Sequence, residues 1–160
     1  GAVKAVLLRE GQPVTEQISW NVMSPNYQIL VYGNQVYCRF TGKHFESVDG
    51  IYLGMEMEEV RQLYGEPDRK DGPFQYQSWS YVKDGVSVYF YGGIVDGIWI
   101  NKGSRKTFDR SGLNADSPRD SYAAYNKAAG TMNEFFTSGE DESEYYSLYE
   151  DRVCLGSGPY

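Results

Sequence analysis

The sequence predicts an α+β fold: a helix layer packed on an antiparallel sheet, built from tandem helix-plus-meander units. Three observations predict it. Ser19-Trp20-Asn21-Val22, followed by Gln28 to Val36, recurs about 59 residues later as Ser78-Trp79-Ser80-Tyr81, followed by Ser87 to Val95; a fainter copy spans Leu148 to Val153. Gly50 to Asp68 reads as a strand-like entry, a Gly turn, a short helix and a hard stop. Phe74 to Asn101 alternates apolar and polar residues with period two, as half-buried strands do.

In chain order, Ala2 to Leu8 is short and apolar and fits either a strand or the end of a helix. Gln17 to Lys43 reads as strands turned at Ser24-Pro25-Asn26 and Gly33-Asn34. A linker at His44 to Asp49 leads to the helix. There Glu56, Glu58 and Glu59 suit the positive end of the dipole, and Met57, Val60 and Tyr64, with Leu63 beside them, form the apolar stripe. Gly65 caps it and Pro67 forbids continuation. The meander carries inward sets Trp79/Tyr81, Val86/Val88/Phe90 and Ile94/Ile98/Ile100, with tight turns at Asp84-Gly85 and Gly92-Gly93. A second helix is predicted from Ser117-Pro118, with Tyr122, Tyr125 and Ala129 as its buried stripe and Gly130 ending its first stretch before Met132 to Phe136. Glu140 to Glu144 is an acidic loop without calcium-loop spacing, and Tyr145 to Leu155 supplies the closing strands. The organisation expected is 1–46 as a β-rich unit, 47–103 as a helix plus three-stranded meander and 104–160 as a degenerate second helix-plus-strand unit, joined in one compact body.

The chain carries a net charge of −7, which argues against nucleic acid, because phosphate binding needs a basic patch. Its one basic cluster, Lys102, Arg105, Lys106 and Arg110, reads as a solvated loop. No apolar run approaches the length of about 18 residues that a membrane span needs, so no span is expected. Gly1 reads as a residue left by tag removal, which leaves room upstream for an export signal or a lipid anchor. The 15 Tyr residues match exported β-rich domains, where Tyr adds apolar area while its hydroxyl stays wet. Cys38 and Cys154 lack metal-site or redox-motif spacing; a disulfide between them stays open, although their offsets from Val36 and Val153 point them to opposite faces of equivalent strands.

Ile51-x-Leu53-Gly54-Met55, the Glu58-Glu59-Val60 helix, Leu63-x-Gly65-x-Pro67-Asp68, Trp79-x-Tyr81, Gly85-Val86 and Val88-x-Phe90 together resemble the repeat unit of the β-lactamase-inhibitor-like fold. Secreted β-lactamase inhibitory proteins and small outer-membrane lipoproteins of the SmpA/OmlA group share that fold. The resemblance covers Gly50 to Ile100 and implies a helix pair on one face of an antiparallel sheet whose other, aromatic face meets a protein partner. Glu56 stands where the family commonly has a capping Thr or Ser, and the segment after Gly103 matches poorly.

Catalytic chemistry is not expected. The chain has one His, His44, in a linker, and no nucleophile elbow; Cys38 reads as a small buried strand residue, and the carboxylates Glu56, Glu58, Glu59, Asp68 and Asp71 have structural roles at the helix start and in turns. No cofactor and no metal site are expected. If Val86, Val88 and Phe90 face the helices, Tyr89, Tyr91 and Trp99 face away, with Tyr32 equivalent to Tyr91, and such a face suits protein binding. The same rings would equally suit a second core layer or a symmetric dimer. The expected function is a noncatalytic exported protein-binding module, secreted or periplasmic at a bacterial cell envelope, with Tyr32, Tyr89, Tyr91 and Trp99 contacting an unknown protein partner. The alternative is an envelope-assembly or structural lipoprotein component.

Overall fold

Alternation of apolar and polar residues becomes strand over most of the Phe74 to Asn101 segment. The computed structural model describes residues 2–4, 8–9, 12–13, 19–21, 27–32, 35–40, 44–124, 127–128, 134–137 and 144–157, with side chains over 44–122 and 144–157. The chain divides into two units, Gly1–Gly42 and Lys43–Tyr160. The first holds β1 (Ala2–Lys4), β2 (Leu8–Arg9), β3 (Gln12–Pro13), β4 (Ser19–Asn21), β5 (Tyr27–Tyr32) and β6 (Gln35–Phe40). They pair antiparallel as β1 with β4, β2 with β3 and β5 with β6, so the described ends of the opening segment, Ala2–Lys4 and Leu8, are strand rather than helix.

The second unit contains α1 (Met57–Tyr64), β7 (Arg69–Asp71), β8 (Tyr76–Tyr81), β9 (Val86–Tyr91), β10 (Ile94–Asn101), a 3-10 helix (Arg119–Ala124), β11 (Lys127–Ala128), β12 (Glu134–Thr137), β13 (Glu144–Leu148) and β14 (Arg152–Ser157). Its eight strands form one sheet in the order β11-β12-β13-β14-β10-β9-β8-β7. Every pairing is antiparallel, so two meanders meet where β10 pairs with β14. Gly92 and Gly93, with φ of 58° and 79°, make the β9–β10 turn in the left-handed conformation that a two-residue hairpin requires.

The expected helix layer with tandem helix-plus-meander units is not what forms. Among the described residues α1 is the only α-helix, and the second predicted helix shrinks to the 3-10 turn Arg119–Ala124. Tyr125, Ala129 and the Gly130 stop lie outside the described residues, as does 140–143 of the acidic loop. The physical reason is visible downstream: Phe135 and Phe136, strong strand formers, pair with Ser147 and Tyr146, extending the sheet instead of a helix. What recurs is the hairpin alone. Tyr32↔Gln35, Tyr91↔Ile94 and Leu148↔Val153 close three such turns, which explains the repeat in the sequence.

One face of the second unit's sheet is the core. Trp79, Val86, Val88, Phe90, Ile98, Ile100, Val153 and Leu155 are buried on it, beneath Val60 of α1 and Val48, Ile51, Leu53, Phe108 and Tyr122 from connecting segments. Glu59 caps α1 by accepting from the Glu56 N–H at 2.8 Å, and Gly65 N–H closes its far end on the Arg61 carbonyl at 2.9 Å. Tyr64 meets Tyr81 edge-on with centroids 4.6 Å apart, and Arg61 lies 5.1 Å from the Trp79 ring centre. The rest of the cover is irregular chain, which needs substitute hydrogen-bond partners. Two buried carboxylates supply them. Glu46 (1% exposed) accepts from Arg110 N–H at 2.8 Å, Ser111 N–H at 3.2 Å and the Tyr146 hydroxyl at 2.5 Å. Glu144 (0% exposed) accepts from Phe45 and Glu46 N–H at 3.0 and 3.1 Å.

Candidate functional site

The opposite face of the sheet starts from the other half of the period-two pattern. β8 presents Tyr76, Ser78 and Ser80 there, β9 presents Ser87, Tyr89 and Tyr91, β10 presents Trp99, and β14 presents Arg152 and Cys154. Register brings the rings together. Ser78 and Gly97 flank Tyr89, and Trp99 lies between Ser87 and Cys154, so small neighbours leave room for large rings.

The result is a ladder of aromatics across three strands and the β13–β14 turn. Tyr76 and Tyr91 have centroids 5.2 Å apart, Tyr89 and Trp99 4.6 Å, and Trp99 and Tyr149, in the β13–β14 turn, 6.1 Å. The Arg152 guanidinium lies 3.8 Å from the Trp99 ring centre and 5.6 Å from that of Tyr149. Tyr76 is 69% exposed and Tyr149 40% exposed, bracketing half-covered Tyr89, Tyr91 and Trp99. Burial raises the Tyr89 hydroxyl pKa and pushes the Cys154 thiol up to about 12, so both stay protonated and neutral at physiological pH. Cys154 is a free thiol. Beside the ladder, Asp71, Gly72, Tyr76, Gln77, Tyr91 and Asp96 line part of an open groove of about 350 Å³.

Of the residues expected from sequence, Tyr89, Tyr91 and Trp99 come together on this face. Tyr32 ends β5 in the first unit, and its side chain lies outside the described residues. Three members escaped sequence reasoning. Tyr76 could have been found from its two-residue spacing to Ser78 and Ser80. Tyr149 and Arg152 depend on the pairing of β10 with β14, which nothing local announces.

The remaining candidates have structural partners. Glu58 pairs with Arg61, Asp68 accepts the Val82 N–H at 2.7 Å, Asp71 pairs with Arg69 at 2.5 Å, and His44 stacks on Tyr52 at 4.2 Å. Among the described residues no group of three or more His, Cys, Asp and Glu could hold a metal ion. Lys102, Arg105 and Lys106 line a second groove of about 560 Å³, where Lys106 pairs with Asp49 at 2.5 Å; Arg110 lies 5.6 Å from the Phe45 ring centre. No helix among the described residues is long and apolar enough to cross a membrane. Compared with protein-family models, curated proteins and solved structures, the chain matches none.

Proposed function

We propose that the protein is a noncatalytic binding module that engages another protein through the ring ladder on the sheet face opposite its core. The observation that carries this reading is the continuous line Tyr89, Trp99 and Tyr149 on the face opposite the core, at spacings of 4.6 and 6.1 Å, where a soluble sheet would ordinarily present short polar side chains. Tyr, Trp and Arg are the residues that protein interfaces concentrate; Tyr and Trp bury large area with few rotatable bonds, and Arg adds a planar cation that stacks on rings. Their stacking on one another restrains them before a partner arrives, which lowers the ordering cost of binding. The structural engagement of the acidic residues and of His44 supports the noncatalytic part of the reading. The aromatic, acidic composition and the local resemblance of 50–100 to inhibitor-like units support an exported, envelope-facing role.

The test is affinity capture from the native cell envelope with wild type, Tyr89→Ala/Tyr91→Ala and, as a control on the helix side, Leu63→Ser, a residue 52% exposed. The reading expects a saturable partner recovered by wild type and by the control but lost with the double variant. Equal recovery by all three forms would remove the face from consideration.

A further inference from the structure

The groove at the Tyr76 end of the ladder has a chemistry that the rest of the face lacks. Its distinguishing residue is Asp96. Along β10 the register passes from Val95↔Phe90 directly to Gly97↔Tyr89, so Asp96 is the extra residue of a β-bulge, with no residue opposite it on β9. Bulges redirect a side chain at a chosen point of a sheet, and this one sets a carboxylate among tyrosines. Asp96, Tyr76, Tyr89 and Tyr91 all line the groove, with Asp71 on the same wall already matched to Arg69.

Among the described residues no cation and no hydrogen-bond donor pairs with Asp96. Its side chain reaches solvent, yet the surrounding protein crowds it enough to raise its carboxyl pKa, and burial is the sole cause. A carboxylate in that position is stabilised by an incoming positive charge, whereas a neutral ligand would leave it uncompensated. The same face already displays the complementary arrangement within the molecule: Arg152 spreads over Trp99 at 3.8 Å. The net charge of −7 adds long-range attraction for a basic partner.

We infer that this groove receives an arginine or lysine side chain of the partner, its stem against Tyr76 and Tyr91 and its cationic head at Asp96. The inference rests on the proposed binding role of this face and names the chemistry of what binds there. The occupant is thus an exposed basic side chain in a protein segment, and the groove of about 350 Å³ has room for one such head group.

Amide chemical-shift titration of the full chain tests this with two probes of equal shape, Nα-acetyl-arginine amide and its neutral counterpart Nα-acetyl-citrulline amide. Expected are saturable shifts at Tyr76, Tyr91 and Asp96 with the arginine probe, weakened about five-fold by Asp96→Asn and by Tyr76→Ala, and no saturable shift with citrulline. Equal shifts with citrulline, arginine shifts scattered over other acidic sites, or saturable shifts at these amides with a neutral oligosaccharide in place of arginine would each overturn it. Capture of a partner that depends on Tyr89 and Tyr91 but is indifferent to Asp96→Asn would overturn this inference and leave the binding face standing. Loss of dependence on Tyr89 and Tyr91 as well would remove both.

Discussion

Both faces of the eight-stranded sheet carry aromatic rings among the described residues and use them in opposite ways. On the covered face Trp79 is fully buried, with Phe90 at 4.8 Å on one side and Arg61 and Lys70 at 5.1 and 4.9 Å from its centre. On the opposite face Trp99 has nearly the same company, Tyr89 at 4.6 Å and Arg152 at 3.8 Å, but it stays half-exposed. Ring stacking and cation contacts therefore do not distinguish core from surface. What distinguishes them is the second layer, here one helix of eight residues and the segments tied down by Glu46 and Glu144.

Truncating the two tryptophans in parallel separates the faces by the largest expected effect. Trp79→Ala is expected to cost about 3–5 kcal/mol of unfolding free energy, the usual price of a large cavity in a core, whereas Trp99→Ala is expected to cost only about 1 kcal/mol. Urea unfolding followed by circular dichroism reads both. Equal losses would mean that the outer rings belong to a second core. A middle-sized effect tests the cover itself: Tyr146→Phe removes one hydroxyl donor from buried Glu46 and is expected to cost about 2 kcal/mol, with the sheet signal retained.

The smallest expected effect is on the outer face, at Asp96. Because burial raises the folded-state pKa of Asp96, the folded protein holds that proton more tightly than the unfolded chain. Stability from this residue is therefore greatest at low pH, and it falls as pH rises from the unfolded pKa of about 3.9 through the raised folded one. Asp96→Asn is expected to flatten that slope and to leave the protein slightly more stable at neutral pH, by about 0.5 kcal/mol or less. A variant less stable than wild type at pH 7, measured by the same unfolding curves, would show that Asp96 has a favourable partner.

How much of this was legible in the sequence follows the range of the interactions involved. α1 was readable because its determinants are local: the acidic start, Val60 and Tyr64 on one side, and the Gly65 and Pro67 stop. The hairpins were readable from alternation and turn residues, down to the equivalence of Tyr32 and Tyr91 as the last strand residues before the turn. The second helix was misjudged because the favourable run from Pro118 competes with sheet pairing of its own end, where Lys127 and Ala128 lie opposite Phe136 and Phe135 of β12. At the site, period two located Tyr89, Tyr91 and Trp99. It missed Asp96 because a bulge shifts the parity at that point, and it missed Arg152 because its place over Trp99 comes from strands more than fifty residues apart.

The division of labour between the two faces is tested most directly by site-specific photo-crosslinking in native cells. A benzophenone side chain would replace Tyr76 on the ladder face in one form of the protein and Leu63 on the helix side in the other, both being exposed positions. The account predicts one discrete adduct from position 76 and none from position 63. Adducts of equal yield from both positions, or from position 63 alone, would contradict it.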